Sequence, residues 1–127
     1  MIYGIGTDIS LVSRFEKWVS NPDMIKRFFN PSEIMENGSL SAKCQHYAAR
    51  FAAKEAFSKA LGTGLVYNIK DSFIVNNDDG KPELVLQDSA KLLFEKQCGN
   101  FENFHLHVSL SHEKEYATAF VIIEKIK

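Results

Sequence analysis

Two acidic residues lie where their carboxylates suit hard-cation chemistry. Asp8 closes a predicted strand that contains Gly4 and Gly6, and Glu55 lies within a long predicted helix. Two carboxylates, completed by substrate oxygens and water, are a typical ligand set for Mg²⁺. Each residue also has an ordinary structural explanation. Asp8 suits a turn or a helix N-cap, and Glu55 suits a solvated ion pair with Lys59.

A lysine and a glycine-rich turn follow Glu55. Glu55 and Lys59 are four residues apart, so the carboxylate and the ammonium share one face of the helix. Gly62, Thr63 and Gly64 end the helix, and backbone N–H groups in such a turn can hold an anion. Gly62 is equally well explained as a helix C-cap. The carboxylates, the lysine and the turn together indicate a site for a cation and a phosphate.

Basic and histidine side chains form two further groups. The basic group suits either a docking surface for an acidic partner or an ordinary solubilising face. Its members are Arg14, Lys17, Lys26, Arg27, Lys43, Arg50, Lys54 and Lys59. His105 and His107 share one face of a predicted strand. That spacing suits a metal ion, but histidines partly buried in a sheet give the same pattern.

The composition limits the class of protein. The chain has 127 residues, 45% hydrophobic residues and a net charge of −1, which predicts one globular domain over residues 1–127. The charge disfavours a dedicated nucleic-acid binder. Apolar runs are too short to cross a bilayer, and no basic leader opens the sequence. Cys44 and Cys98 lie outside any metal-binding motif. We therefore expect a cytoplasmic protein with no membrane partner.

The elements that position these residues follow from apolar spacing and from turn residues. A strand is predicted over Ile2–Ile9, where the glycines allow another backbone to come close. Ser10 is predicted to cap a helix that contains Phe15 and Trp18, and a short helix follows over residues 24–29.

A long helix over Leu40–Leu61 is the strongest prediction, because the segment has no glycine or proline and ends at Gly62. Its apolar side contains small residues that suit close packing on a sheet. The remaining predicted elements are strands over Asp71–Asn77, Glu83–Leu86, His105–Ser111 and Tyr116–Glu124, and a helix over Ser89–Cys98. This order favours an α+β domain with a long helix packed on a mostly antiparallel sheet.

Three stretches of the chain resemble the short, single-domain holo-acyl-carrier-protein synthases, which are bacterial 4′-phosphopantetheinyl transferases. The matching stretches are Gly4–Ile9 with Arg14, Arg50–Gly64, and Val108–His112 followed by Tyr116–Ala119. The hairpin residues Asn77, Gly80, Lys81, Pro82 and Leu84 also fit. The resemblance runs nearly end to end, and the middle stretch is the most specific.

The resemblance implies an activity and a catalytic set. Asp8 and Glu55 would bind Mg²⁺, and Lys59 would add positive charge at the reaction centre. A serine of apo-acyl carrier protein would attack coenzyme A, which gives the holo-protein and adenosine 3′,5′-bisphosphate in fatty acid biosynthesis. Either Glu55 or a metal-held water would accept the serine proton.

The resemblance also implies a homotrimer with its active sites between subunits. One subunit would contact the phosphates through Gly62, Thr63 and Gly64. Its neighbour would contact the coenzyme A nucleotide through Arg50, Lys81, Pro82, Ser111 and His112. Arg14 and Lys17 would face the acidic carrier protein. The chain departs from many relatives at Ala42, where they have an arginine.

Two other functions fit parts of the sequence. A non-catalytic module could dock an acidic protein through the basic side chains and would need no coenzyme A site. A small acyl-coenzyme A hydrolase could use a carboxylate and water without magnesium. Metal dependence separates the hydrolase from the transferase. The three matching stretches favour the transferase.

Overall fold

A computed structural model describes residues 1–127. It contains two antiparallel sheets and one long helix between flanking short elements. The strands are Ile2–Leu11 (β1), Ser72–Asn76 (β2), Pro82–Leu86 (β3), Phe104–His112 (β4) and Tyr116–Lys125 (β5). The helices are Glu16–Val19 (α1), Pro22–Phe28 (α2), Leu40–Leu61 (α3) and Asp88–Cys98 (α4). Four 3₁₀ turns lie at Val12–Phe15, Pro31–Glu33, Ile69–Asp71 and Phe101–Asn103.

The predicted α+β class is confirmed, with the strands divided between two sheets. One sheet has the order β1-β5-β4, and β2 pairs with β3 in the other. All pairs of strands are antiparallel. None of the helices has the length and apolarity needed to cross a membrane.

Helix α3 has the predicted bounds and is capped at both ends. The Ser39 hydroxyl oxygen accepts a hydrogen bond from the Ala42 N–H at 3.0 Å. Gly62 ends the helix in a left-handed conformation with φ of 87°, which suits glycine. The predicted apolar side is buried; its members are Tyr47, Ala48, Phe51, Ala52, Ala56 and Ala60.

Strand β1 lies almost directly against the backbone of α3. A Cβ atom added to Gly4 would overlap the Ala60 carbonyl oxygen, and one added to Gly6 would overlap the Ala56 carbonyl oxygen. Glycine is therefore required at both positions for this approach. The close packing carries Asp8, two residues beyond Gly6, to the last turns of α3.

The predicted capping role of Ser10 is wrong. Ser10 lies inside β1, which continues to Leu11 because β5 offers pairing partners as far as Tyr116. The Val12 N–H then donates to the Glu115 carbonyl oxygen at 2.8 Å. The following 3₁₀ turn begins at Val12 with no side-chain cap.

The placement of Lys54 on an exposed basic face is also wrong. Lys54 and Glu33 are both fully buried and form an ion pair, with Lys54 Nζ 2.8 Å from Glu33 Oε1. Lys54 also donates to the carbonyl oxygens of Ile69 and Ser72. Glu33 Oε2 accepts from the Ile74 N–H at 3.1 Å. This pair joins α3 to the Pro31–Glu33 turn and to β2.

The face of the three-stranded sheet turned away from α3 carries exposed apolar side chains. Ile5 and Ile9 of β1 are 63% and 62% exposed, and Phe120 of β5 is 51% exposed. Ile5 pairs with Ile122, and Phe120 pairs with Thr7, so these side chains form one continuous surface. We call this surface the outer sheet face. Contiguous exposed apolar patches of this kind mark interaction sites.

Candidate active site

Asp8 and Lys59 meet where β1 crosses the last turn of α3. Lys59 Nζ lies 3.0 Å from Asp8 Oδ1 and donates to the Thr7 carbonyl oxygen at 3.1 Å. The Asp8 side chain is 18% exposed and the Lys59 side chain 54%. The alternative in which Lys59 pairs with Glu55 is wrong, because Lys59 bonds across to the strand instead.

Glu55 lies one helical turn before Lys59 and is half-buried. Its carboxylate makes no hydrogen bond or ion pair within the chain. Burial raises the pKa of Glu55, and the nearby negative charge of Asp8 raises it further. The positive charges of Lys59 and Arg14 lower the pKa of Glu55 by smaller amounts. Two carboxylates and two cations therefore act on one another at this point.

This donor set fits a hard divalent cation. Asp8 and Glu55 contribute anionic oxygens, and a cation between them would remove the repulsion that raises the pKa of Glu55. No group of three or more histidine, cysteine, aspartate or glutamate side chains is arranged to hold a metal ion. Two carboxylates suit Mg²⁺, which keeps water and substrate oxygens among its ligands.

The electrostatic coupling of Asp8 to Glu55 predicts how the pKa of Glu55 changes when a neighbouring charge is removed. In the native protein the pKa of Glu55 is expected above its ordinary value of 4.5. Asp8→Asn removes a negative charge and lowers the pKa of Glu55, whereas Lys59→Met removes a positive charge and raises it. NMR titration of the Glu55 carboxyl carbon measures this pKa in the native protein and in both variants. An unchanged pKa in Asp8→Asn would contradict this geometry.

The turn after α3 offers fewer free N–H groups than the sequence suggested. The N–H groups of Gly62 and Thr63 both donate to the Ser58 carbonyl oxygen, at 2.9 and 3.3 Å. Gly64 has φ of 72°, and its N–H has no partner within the chain. The helix-cap explanation of Gly62 is confirmed, and Gly64 is the N–H donor left for an anion.

A second group of predicted residues meets in a different cleft. Arg50, Pro82 and His112 line a cavity of about 430 Å³ between α3, the β2–β3 hairpin and β4. Asp8, Glu55 and Lys59 do not line it. Arg50 and Glu55 point about 140° apart around α3, because five residues separate them. We call this cavity the arginine cleft.

The arginine cleft contains a buried polar atom without a partner. Arg50 Nε is buried and makes no hydrogen bond, while its Nη1 donates to the His46 carbonyl oxygen at 3.4 Å. Burial lowers the pKa of Arg50, but the guanidinium keeps its charge at neutral pH. A half-buried guanidinium with a buried, free Nε–H is suited to an anionic ligand.

Sequence reasoning missed His46, which also lines the arginine cleft. Its Nε2–H donates to the Glu33 carbonyl oxygen. Burial and the neighbouring charge of Arg50 lower the pKa of His46 to about 4, so the ring is neutral at pH 7. His46 precedes Arg50 by four residues on α3, and that spacing alone places the two on one helix face.

The other residues predicted to contact the nucleotide do not all lie in the arginine cleft. Lys81 and Pro82 line a neighbouring cavity, also of about 430 Å³, beside β4. Ser111 lies on the outer sheet face, opposite Thr118, and so does not line the arginine cleft. His107 Nε2 lies 2.9 Å from Glu124 Oε1. The side-chain partner of His107 is thus a carboxylate, whereas the sequence analysis also considered a metal ion.

Arg14 is one of the charged groups that act on Glu55. Its positive charge lowers the pKa of Glu55, and its guanidinium lies over the Phe51 ring, 5.2 Å from the centroid. Lys17 lies on α1 and is exposed. Of the two residues predicted to face a carrier protein, Arg14 thus lies near Glu55, and Lys17 follows it by three residues in the sequence.

A family model covers nearly the whole chain. The model of the 4′-phosphopantetheinyl transferase superfamily matches residues 4–121. The chain belongs to this superfamily. The match includes Asp8, Glu55 and Lys59 as well as the arginine cleft.

Individual relatives agree with the family match. A holo-[acyl-carrier-protein] synthase of Geobacter sp. strain M21 is 48% identical, over 98% of this chain and all of the relative. The crystal structure of the Neisseria meningitidis synthase matches with a TM-score of 0.83 and 33% identity, over 98% of this chain and 100% of that one. A Bacillus anthracis synthase, solved in complex with CoA (3′,5′-ADP), matches with a TM-score of 0.76 and 33% identity, over 98% of each chain.

Proposed function

We propose that this transferase moves 4′-phosphopantetheine from coenzyme A to a serine of apo-acyl carrier protein. The products are holo-acyl carrier protein and adenosine 3′,5′-bisphosphate. The observation that carries the proposal is the meeting of Asp8, Glu55 and Lys59 within a nearly full-length family match. The same match favours the transferase over the non-catalytic module and the acyl-coenzyme A hydrolase.

Asp8 and Glu55 are proposed to hold Mg²⁺. When bound, the ion would neutralise the pyrophosphate charge that opposes attack by an oxygen nucleophile. Lys59 is held beside Asp8 by its ion pair, and its ammonium stabilises negative charge that develops on the transferred phosphate.

The proposed reaction forms one bond and breaks one. The serine hydroxyl oxygen attacks the β-phosphorus of coenzyme A, and a serine–O–P bond forms. The P–O bond to the adenosine bisphosphate breaks, and that oxygen leaves with the electron pair. The Glu55 carboxylate, which makes no hydrogen bond within the chain, is one proposed acceptor of the serine proton. Water is the alternative acceptor.

The nucleotide of coenzyme A is proposed to bind in the arginine cleft of a neighbouring copy of this chain. The unpartnered Arg50 Nε supports an anionic ligand there, together with Pro82 and His112 of the same cleft. Lys81 in the neighbouring cavity and Ser111 on the outer sheet face are proposed as further contacts from outside the cleft. The phosphates would reach the turn of Gly62, Thr63 and Gly64 of the first copy, where the Gly64 N–H is the donor that is free.

We call the group of Asp8, Glu55 and Lys59 the Asp8 centre. Because the Asp8 centre and the arginine cleft lie on different sides of α3, we propose that one copy supplies the centre and a neighbouring copy supplies the cleft of each active site.

Arg50→Ala is expected to weaken coenzyme A use without altering docking of the carrier. Losing hydrogen bonds from a charged group to a phosphate costs about 1.5–3 kcal/mol, or about 10- to 100-fold in the KM for coenzyme A. Steady-state rates at varied coenzyme A measure this effect. Arg27→Ala, which removes an exposed arginine of α2, is the control. An unchanged KM for coenzyme A in Arg50→Ala would refute the cleft assignment.

The oligomer is proposed to be a trimer that buries the outer sheet face. Ile9→Asp places a charge in the middle of that apolar surface and is expected to give monomers of 14.4 kDa in place of trimers of about 43 kDa. Light scattering after gel filtration measures the mass. Val66→Asp, which alters an exposed apolar residue outside the sheets, is the control. A trimeric Ile9→Asp protein would contradict the proposed interface.

All 127 residues are proposed to form one transferase domain in the cytoplasm. Both cysteines are free thiols, which suits a reducing compartment. The carrier that the enzyme would modify serves fatty acid biosynthesis, and its acidic surface complements Arg14 and Lys17.

The activity is tested by the intact mass of the carrier protein. The enzyme is incubated with apo-acyl carrier protein and coenzyme A, with magnesium or with EDTA. A phosphopantetheine-sized gain with magnesium, absent with EDTA, is the expected result. A folded enzyme that leaves a competent carrier unmodified would refute the proposed function.

A further inference from the structure

The guanidinium of Arg14 lies within about 6 Å of the centroids of three aromatic rings. Its Cζ atom lies 5.2 Å from the ring centroid of Phe51, 5.6 Å from that of Phe15 and 5.7 Å from that of Trp18. A guanidinium within about 6 Å of a ring face is attracted by the quadrupole of the ring. Arg14 is exposed, and exposed arginines ordinarily sample many rotamers. The three rings restrict this one to a single region.

Trp18 is itself fixed within the core. It is 9% exposed. Its ring centroid lies 4.8 Å from that of Phe15, 5.3 Å from that of Phe51 and 5.0 Å from that of Phe28. Arg14 therefore rests on a platform of packed rings, Phe15, Trp18 and Phe51, and Phe28 packs against two of them, Trp18 and Phe51.

The ring platform places a fixed cation beside the reaction centre. Phe51 precedes Glu55 by one turn of α3, and the guanidinium of Arg14 lies over the Phe51 ring. The exposed Lys17 lies on the adjacent α1. An acidic partner that brings a serine to Glu55 would therefore meet Arg14 at the edge of its contact surface.

We infer that Trp18 is a positioning residue, which together with Phe15 and Phe51 holds Arg14 ready to bind the acidic carrier protein. The inference rests on the proposed function. A side chain that is already ordered loses less conformational entropy when its partner binds. Removing the Trp18 ring face should thus weaken the use of the carrier only while Arg14 is present.

A double-mutant cycle tests this dependence. Trp18→Met keeps most of the volume and removes the ring face. It is expected to raise the KM for apo-acyl carrier protein about two- to fivefold, with kcat and the KM for coenzyme A unchanged. In the Arg14→Ala background, Trp18→Met should have no further effect. Trp18→Phe restores a ring and should restore most of the KM in the native background.

The control is Phe101→Leu, which removes a half-buried ring that contacts Phe94 and none of the rings beside Arg14. Its KM for the carrier is expected to equal that of the native protein. Additive effects of Trp18→Met and Arg14→Ala, or an equal rise in Phe101→Leu, would overturn the inference. If Trp18→Met does not fold, the same cycle is measured with Trp18→Phe. A smaller rise in the KM for the carrier is then expected, and it should again vanish in the Arg14→Ala background. Absence of transfer by the native enzyme would instead refute the proposed function.

Discussion

Asp8→Asn and Glu55→Gln are each expected to reduce transfer to the carrier protein about 100-fold or more. Changes in the groups that merely orient metal ligands already cost about 10- to 100-fold, so loss of a direct carboxylate ligand costs at least the upper end. Each substitution keeps the shape of the side chain and removes its charge. The initial rate of holo-carrier formation at limiting magnesium measures the loss.

The matched control for Glu55→Gln is Glu102→Gln. Glu102 is an exposed glutamate in the short turn before β4, and its replacement should leave the rate unchanged. Circular dichroism establishes that each variant is folded. If either Asp8→Asn or Glu55→Gln transfers at a near-native rate when magnesium is limiting, the assignment of the metal ligands is wrong.

Lys54→Met is expected to destabilise the fold more than any exposed substitution would. It leaves the fully buried Glu33 carboxylate without its cation, which costs about 3–5 kcal/mol. For a chain of this length the loss corresponds to a fall in Tm of about 10 °C or more. Thermal and urea unfolding, followed by circular dichroism, measure the change in free energy.

Lys43→Met is the matched control, because Lys43 lies on the same helix and makes no ion pair. Its effect should stay within about 0.5 kcal/mol. Adding Glu33→Gln to Lys54→Met removes the unpaired charge and should recover part of the lost stability. Strictly additive losses in the double variant would show that the two side chains are not coupled.

The packing of β1 against α3 was predictable from the sequence. Gly4 and Gly6 predicted a close backbone approach, and the structure places them against the carbonyl oxygens of Ala60 and Ala56. The bounds of α3 were predictable because the segment has no breaker before Gly62. The proximity of Asp8 to Glu55 is predictable from these two elements. The glycines bring the end of β1 against α3, and the register of α3 determines which helix residues lie there.

Other features depend on contacts between distant parts of the chain. Lys54 looked like a surface lysine, since its partner Glu33 lies 21 residues away and burial of such a pair has no local signal. Ser10 looked like a helix cap, but pairing with β5 extended the strand past it. His46 was detectable from its helical spacing to Arg50. Its neighbours in the cleft come from the hairpin and β4, which sequence spacing cannot place.

The central claim is that the Asp8 centre of one copy and the arginine cleft of another form one active site. Asp8→Asn and Arg50→Ala subunits are mixed in equal amounts, dissociated, reassembled, and assayed for holo-carrier formation at low coenzyme A. If sites form between neighbouring copies, about a quarter of them regain both intact halves, and the rate rises to about a quarter of the native rate. A rate no higher than the mean of the two parent variants would contradict a site shared between copies.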